Sequence, residues 1–202
     1  SSDFVEINVI GDSSKERRSI VPVNGLYLEK TTAKTDTRAM ELVHESYVGI
    51  NCVNKLIAKI PNFAYTYGPL KDNVLDVSFY REAVQGETLS TWITSSRYSF
   101  TGLIEILSQI CLALTMAQRY YGFVHNDLRC SNVIIEKLSQ PIRFDYVIYG
   151  ENVMSSVSSY IPVIIDYRNA RCIVYEEKHG LIDHDIDNVY ERKSTILDVL
   201  TI

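Results

Sequence analysis

Two short polar segments, each set against apolar sequence, constrain this chain more than any other feature. The first contains Asp127 and Asn132 and stands between a long apolar stretch with helical spacing and a run of strand-forming residues. The second begins with Asp166 directly after the apolar run 161–165, which is typical of a buried strand. Because both segments lie where buried elements end, we expect their polar side chains to face one cleft. The sequence therefore predicts a polar site formed by Asp127, Asn132 and Asp166.

The order of residues in these segments resembles the catalytic core of the protein kinases. Residues 125–132 read His-Asn-Asp-Leu-Arg-Cys-Ser-Asn and match H-x-D-L-x-x-x-N, and Asp-Tyr-Arg at 166–168 is similar to the metal-binding D-F-G element. The resemblance implies that Asp127 takes or orients the proton of the attacking hydroxyl. It also implies that Asn132 and Asp166 hold Mg²⁺ and that ATP is the phosphate donor. In the competing structural reading, these residues only shape a turn and end a strand.

Alternation of apolar and polar residues predicts three short strands of a small antiparallel sheet in the N-terminal third, at 4–10, 19–23 and 25–30. Lys30 ends the third run in the order apolar-x-apolar-x-Lys. This pattern is similar to the kinase strand whose lysine contacts the α- and β-phosphates. The resemblance therefore implies that Lys30 binds ATP.

The first hairpin departs from the family where a glycine-rich loop lets backbone amides approach the phosphates. It offers only Gly11, in the sequence Ile-Gly-Asp-Ser-Ser-Lys. Phosphate contact by backbone amides is therefore in doubt. The basic cluster of Lys15, Arg17 and Arg18 could supply side-chain charge instead, although such a cluster at a turn is also typical of a solvated surface.

The spacing of apolar residues predicts a helix at about 38–60, ended by Pro61. Its apolar face is expected to contain Met40, Val43, Tyr47, Ile50 and either Val53 or Asn54, which are at helical spacing. Glu45 lies in the middle of this helix, where the family places the glutamate that pairs with the lysine, and Glu41 is a second candidate one turn earlier. The alternative is an ordinary surface pair of Lys30 and Glu45, worth well under about 1 kcal/mol.

Residues 74–84 are typical of a strand, and the segment at its end is similar to the hinge whose backbone groups hydrogen-bond adenine in kinases. Five residues are candidates for this hinge: Tyr80, Arg81, Glu82, Ala83 and Val84. Of these, Glu82 and Val84 are expected to contact the nucleotide. A central helix is predicted at 100–121, ended by Gly122, and an inserted hairpin at 139–160.

Composition limits the classes of function that fit this chain. The 202 residues carry a net charge of −5 without a long basic run, which argues against nucleic-acid binding. The four cysteines are widely spaced, which favours free thiols in a reducing compartment such as the cytoplasm. No apolar run is expected to reach the roughly 20 residues that span a bilayer, so no membrane contact is predicted.

Other departures from the family also bear on activity. Arg168 replaces the glycine of D-F-G and is expected to bring a positive charge near the magnesium site. Asn126 stands where many kinases have Arg, which argues against control by a phosphorylated activation loop. No A-P-E element follows, so the resemblance implies a truncated C-terminal lobe. The cluster 183–187 (Asp-His-Asp-Ile-Asp) fits either a metal site or an acidic helix entry.

These observations together predict an α+β, two-lobed, protein-kinase-like fold. The N-lobe, 1–84, is expected to contain a small antiparallel sheet and one helix, and the C-lobe, 85–202, to be mainly helical. The expected function is ATP-dependent phosphoryl transfer to a Ser or Thr hydroxyl of a protein. The alternatives are a pseudokinase that acts as a regulatory partner of another protein, and a small-molecule phosphotransferase of the aminoglycoside or choline type. The chain is also similar to kinase-like proteins of large DNA viruses, which implies the host cytoplasm or the virion, and its oligomeric state leaves no pattern.

Overall fold

The first half of the chain forms a five-stranded antiparallel sheet in the order β1-β2-β3-β5-β4. A computed structural model describes residues 8–23, 26–71, 77–149, 152–174 and 177–179. The strands are β1 Asn8–Asp12, β2 Glu16–Val23, β3 Leu26–Ala33, β4 Thr66–Lys71 and β5 Val77–Glu82. The three strands predicted before residue 31 are confirmed, and residues 4–7 of the first one lie outside the described residues.

A long helical segment connects β3 to β4. Helix α1, Asp36–Val48, begins after Thr35, whose side chain accepts a hydrogen bond from the backbone N–H of Arg38. A π-helical turn, Gly49–Val53, and a short helix α2, Asn54–Ile57, continue it. The helix therefore lies where the sequence predicts it, with a π-helical turn that the apolar spacing does not reveal.

The buried face of α1 differs from the predicted one. Three residues of the predicted face are exposed, at 70%, 51% and 40% for Met40, Val43 and Ile50. The buried residues of α1 are Arg38, Leu42, Glu45, Ser46 and Val48. The prediction of the face is wrong because it counted only apolar side chains, whereas a buried arginine and a buried glutamate occupy part of the inner face.

The second half of the chain combines two helices with a long hairpin. Its elements are β6 Glu87–Thr88, α3 Leu89–Thr94, α4 Phe100–Tyr121, β7 Val133–Tyr149, β8 Asn152–Ile164, β9 Cys172–Val174 and β10 Glu177–His179. Strands β6, β7 and β8 form one antiparallel sheet, and β9 pairs with β10. The predicted hairpin is confirmed and is longer than expected, because its strands run from the loop that contains Asp127 to the segment that contains Asp166.

Helix α4 has the bounds that the sequence predicts. It ends at Gly122, whose φ of 52° lies in the left-handed region that glycine adopts at little cost. Its 22 residues are long and apolar enough to cross a membrane by length and composition, so the expectation that no apolar run reaches this length is wrong. A core helix passes the same test, and the inward residues of α4, such as Ile106, Ile110 and Leu114, are buried in the main core.

One hydrophobic core joins the two halves of the chain. Val48, Cys52 and Leu56 of the helical segment belong to the same buried cluster as Trp92 of α3 and Ile110 of α4. The predicted lobe boundary after residue 84 falls between β5 and β6, and it stays a prediction. Both halves of the chain therefore contribute to the core beneath the cleft.

Candidate active site

Hydrogen bonds join the loop that contains Asp127 to the segment that contains Asp166. Nδ1 of His125 accepts from the backbone N–H of Asp127 at 3.3 Å, so Nε2 carries the hydrogen and donates to the Ile165 carbonyl at 3.0 Å. Asn132 Nδ2 donates to the Asp127 carbonyl at 2.8 Å. The backbone N–H of Ile165 donates to the Asn132 carbonyl at 3.0 Å. These bonds bring the two predicted polar segments to one side of the cleft.

The backbone turns sharply at two polar residues of this site. Asn126 and Asp166 have φ values of 64° and 70°, in the left-handed region where Asn and Asp are the best tolerated residues after glycine. Asn126 Nδ2 also donates to the Asn169 carbonyl at 3.0 Å, beyond Asp166. The two turns and this bond therefore support each other across the two segments.

Asp166 is held by the arginine that follows it two residues later. Arg168 Nε and Nη2 donate to the two carboxylate oxygens of Asp166, both at 2.6 Å. Burial alone would raise the pKa of Asp166, but the hydrogen bonds and charge of Arg168 outweigh it and lower that pKa below the usual value of 3.8. Asp166 therefore remains ionised, and the expected positive charge near this site is confirmed.

Glu45 is buried close to Asp166. Its side chain is only 3% exposed, and burial, with the nearby charge of Asp166, raises the pKa of Glu45 to about 7. The charges of Arg81 and Arg38 offset part of this increase in the pKa of Glu45, and Arg38 Nη2 lies 4.0 Å from Glu45 Oε2. Arg38 also binds Glu16 of β2 and Glu41 of α1. The reserve candidate Glu41 thus serves to hold Arg38 in place.

Lys30 lies on the opposite face of β3 from the cleft. Successive residues of a strand point to opposite faces, and here Glu29 lines the cleft, whereas Lys30 Nζ lies 5.8 Å from the ring centroid of Tyr80. The predicted pairing of Lys30 with Glu45 is therefore not the arrangement in this structure. The reason is the register of β3, in which Glu29 is placed opposite Arg81 and Lys30 opposite Tyr80.

Glu29 and Arg81 form a buried ion pair that the sequence pattern did not reveal. Arg81 Nη2 donates to both carboxylate oxygens of Glu29 at 2.8 Å. The two residues are 9% and 8% exposed. Burial by itself would lower the pKa of Arg81, but the charge of Glu29 offsets it and the pKa is raised. A signal was present, because opposite charges at facing positions of neighbouring strands are favourable.

A cavity of about 410 Å³ lies beside the predicted hinge, and we call it the hinge cavity. Its wall includes Glu82 and Val84, the two residues expected to contact the nucleotide. The other lining residues are four isoleucines, two residues of β3 and three residues in or next to the hinge: Ile10, Ile20, Ile134, Ile165, Tyr27, Glu29, Arg81, Ala83 and Gln85. A cavity of this size with several apolar walls fits a planar base.

A second, smaller cavity of about 60 Å³ lies beside the hinge cavity, and we call it the charged cavity. Four arginines and four acidic residues line it: Arg18, Arg38, Arg81, Arg168, Glu16, Glu29, Glu45 and Asp166. Asn132 lies at its edge, together with Ser131. Of the basic cluster Lys15, Arg17 and Arg18 noted in the sequence, Arg18 lines this cavity.

The site contains oxygen atoms of the types that bind Mg²⁺ in proteins. Asp166 offers a carboxylate, and Asn132 offers Oδ1 because its Nδ2 donates to Asp127. Mg²⁺ commonly takes one or two protein oxygens and completes its shell with phosphate and water. Both Asp166 oxygens accept from Arg168, so an ion would bind a carboxylate whose charge a neighbouring cation already compensates. Among the described residues, no group of three His, Cys, Asp or Glu side chains could hold a metal by itself, and the predicted cluster 183–187 lies outside them.

Two further residues form hydrogen bonds that the sequence did not predict. Tyr167, in place of the family's phenylalanine, donates from its hydroxyl to the carbonyls of Ala64 at 3.1 Å and Ile164 at 2.8 Å. His44 of α1, which the sequence gave no role, lies 3.0 Å through Nε2 from the Ala170 carbonyl. The contact of His44 joins the Asp166 segment to α1, and that of Tyr167 with Ala64 joins it to the chain just before β4.

The fold and the position of the polar site define the class of this protein. The crystal structure of a kinase domain matches the chain with a TM-score of 0.62 and 18% sequence identity, over 89% of this chain and 54% of that one. The chain therefore has a kinase-like α+β fold, as predicted from the sequence.

No protein-family model matches the chain. It is similar to uncharacterized protein 179R of Invertebrate iridescent virus 6, with 31% identity over 168 residues, 77% of this chain and 14% of that protein. It is also similar to probable kinase 098L of Invertebrate iridescent virus 3, with 31% identity, 76% of this chain and 29% of that protein. A third relative, uncharacterized protein ZK177.2 of Caenorhabditis elegans, is 24% identical over 71% of this chain and 51% of that protein. The chain spans about half or less of the length of these relatives, and two of them are viral proteins.

Proposed function

We propose that this chain carries an ATP-dependent phosphotransferase site that acts on Ser or Thr hydroxyls of proteins. The observation that carries the proposal is the hydrogen-bonded connection of Asn132 to Asp127 and to the Asp166 segment, directly beside a cavity that fits a base. A phosphoryl donor held by the hinge cavity would present its phosphates toward the charged cavity. The name of the similar viral protein, probable kinase 098L, agrees with this class of reaction.

The residues have distinct tasks in this proposal. Asp127 accepts or orients the proton of the acceptor hydroxyl. Asp166 and Asn132 supply oxygen ligands to Mg²⁺, which neutralises phosphate charge when it is bound. Arg129 Nη2 donates to Asp127 Oδ2 at 2.7 Å and must yield this position to the acceptor. Arg129 is well exposed, so the exchange requires little rearrangement of the core.

A protein acceptor in the cytoplasm, with no role for nucleic acid or membrane, completes the proposal. The cysteines agree with a reducing compartment, since none of the four, all of which lie among the described residues, forms a disulfide bond. The acidic residues that would favour a cationic small-molecule acceptor, at 183–187, lie outside the described residues.

Thermal unfolding with ATP, with and without Mg²⁺, tests the nucleotide site. A ligand present at about 100 times its Kd stabilises the native state by about 2.7 kcal/mol, which corresponds to a rise in Tm of several degrees for a chain of this length. We expect Asp166→Asn to lose the magnesium-dependent part of that rise. Asp145→Asn is the matched control, because Asp145 lies on the exposed hairpin. An equal magnesium effect in Asp166→Asn would contradict the metal assignment.

Transfer itself is measured with labelled ATP and casein as a generic Ser/Thr acceptor. Wild-type protein is expected to label casein, and Asp127→Asn is expected to abolish the labelling while it keeps the ATP-dependent rise in Tm. Nucleotide binding without transfer to casein in the wild type would argue against the enzymatic part of the proposal.

A nucleotide-binding pseudokinase is the second candidate, and the Arg168–Asp166 pair favours it. A bidentate arginine on the predicted metal ligand opposes metal binding, because its positive charge repels the ion and already compensates the charge of the carboxylate. Arg168→Gly is expected to strengthen the magnesium dependence of ATP binding. If the wild type binds ATP equally with and without Mg²⁺ and only Arg168→Gly responds to the ion, the regulatory function is favoured over transfer.

A further inference from the structure

Arg81 lies where the two cavities of the cleft meet. Together with Glu29 and Ile165, it lines both the hinge cavity and the charged cavity. A nucleotide whose base occupies the hinge cavity has to pass its first phosphates over this point to reach Asp166 and Asn132. The position therefore suits a cation that holds phosphate.

The guanidinium of Arg81 is buried, and only part of its hydrogen-bonding capacity is engaged by the described contacts. Arginine has five N–H donors. The described contacts of Arg81 engage Nη2 alone, which donates to both oxygens of Glu29. Nε and Nη1 are therefore the donors that a ligand could engage. A planar guanidinium forms paired hydrogen bonds with phosphate oxygens, and it stays charged at any physiological pH.

The lysine of β3 does not share this position. Lys30 is placed opposite Tyr80 in the sheet, whereas the cleft-facing residue opposite Arg81 is Glu29. An acidic side chain therefore occupies the cleft-facing position of β3, and the cation on the same face comes from β5. Glu29 compensates the charge of Arg81 during burial and fixes the orientation of its guanidinium.

We propose that Arg81, rather than Lys30, binds the nucleotide phosphates in this chain, and that Glu29 is the residue that positions it. The inference rests on the proposed nucleotide site and specifies which cation serves it. The phosphate-binding cation then comes from β5 instead of β3. This also accounts for the buried pair of Glu29 and Arg81, because an unpaired Glu29 would repel the phosphates.

The test compares affinities for ATP and for adenosine, measured by calorimetry on the whole chain. Adenosine occupies the hinge cavity and carries no phosphate, so its affinity reports on folding and on the base site. The variants are Glu29→Gln, the double variant Glu29→Gln/Arg81→Gln, and Lys30→Met as the matched control. The double variant removes the ion pair without leaving a buried charge unpaired.

We expect the double variant to lose about tenfold or more in ATP affinity, with adenosine affinity unchanged, since one charge-assisted contact is worth at least that factor. Lys30→Met is expected to bind both ligands as the wild type does. Glu29→Gln should weaken ATP binding selectively but less than the double variant does, because Arg81 keeps its charge and loses the carboxylate that orients its guanidinium. A purely structural ion pair would instead weaken both ligands in every variant that breaks it.

Two results would overturn the assignment in distinguishable ways. If the wild type binds neither ligand, the proposed function itself fails. If the wild type binds ATP, but Lys30→Met loses the phosphate-dependent affinity and the double variant keeps it, the proposed function stands and Arg81 is wrong. Should the double variant fail to fold, Arg81→Lys replaces it, and a selective loss of ATP affinity is again expected because an ammonium lacks the planar fork.

Discussion

Replacement of Glu45 by glutamine should make the protein more stable at neutral and alkaline pH. Burial raises the pKa of Glu45 from its ordinary 4.5 to about 7. Between these two values the folded state binds more protons than the unfolded state, so the free energy of unfolding falls as the pH rises through this window. Each tenfold change in proton affinity corresponds to about 1.4 kcal/mol, and the loss by pH 8 is therefore about 3 kcal/mol.

Urea denaturation of wild type, Glu45→Gln and Glu41→Gln at pH 5 and pH 8 measures this effect. Glu45→Gln is expected to exceed the wild type by up to about 3 kcal/mol at pH 8 and by less than about 1 kcal/mol at pH 5. Glu41→Gln is the control, because Glu41 lies on the same helix with its side chain 32% exposed. If Glu45→Gln is less stable than the wild type at pH 8, or gains equally at both pH values, the argument from burial is refuted.

Two further substitutions test how the Asp166 segment and the π-helical turn are held. Tyr167→Phe removes the hydroxyl that donates to the carbonyls of Ala64 and Ile164 and should cost about 1–2 kcal/mol in urea denaturation; an unchanged midpoint would show that these bonds contribute nothing. Gly49→Ala should cost about 1–3 kcal/mol, because the added Cβ would lie 2.2 Å from Thr66 Oγ1. Adding Thr66→Ala should recover part of that loss, and no recovery would contradict the steric cause.

Local patterns were sufficient to predict α4. Its apolar spacing is uninterrupted over the whole helix, and the two ends are marked by Ser99, which accepts from the backbone of Gly102, and by Gly122. Such signals depend only on neighbours in sequence, so they can be read without the rest of the fold. The residues of the loop around Asp127 are also close in sequence, and their assignment to a catalytic site stays a prediction.

Which side chains of a strand point into the cleft was harder to predict than where the strand lies in the sequence. The alternating pattern identified β3, but a shift of one residue exchanges the two faces of a strand. The sequence pattern directed Lys30 into the cleft, whereas the pairing of β3 with β5 directs Glu29 there, opposite Arg81. That partner lies 52 residues further along the chain, so no local pattern contains it.

Buried charge was the other property that the sequence could not reveal. Charged residues are rarely buried unless they are paired, and the spacing of apolar residues in the helix gave no sign that Arg38 is buried. In the structure, Arg38 is buried because Glu16 of β2 and Glu41 surround it. The partners come from two elements, and only the tertiary fold brings them together.

The shared core has a consequence for how this molecule unfolds. Residues of the helical segment that follows β3, including Cys52 and Leu56, are buried among the side chains of α3 and α4. The apolar side chains of this segment therefore cannot be buried without α3 and α4. We expect a single cooperative transition in calorimetry and no independently folded fragment after cleavage at the hinge, so that the cleft exists only while the whole described unit is folded.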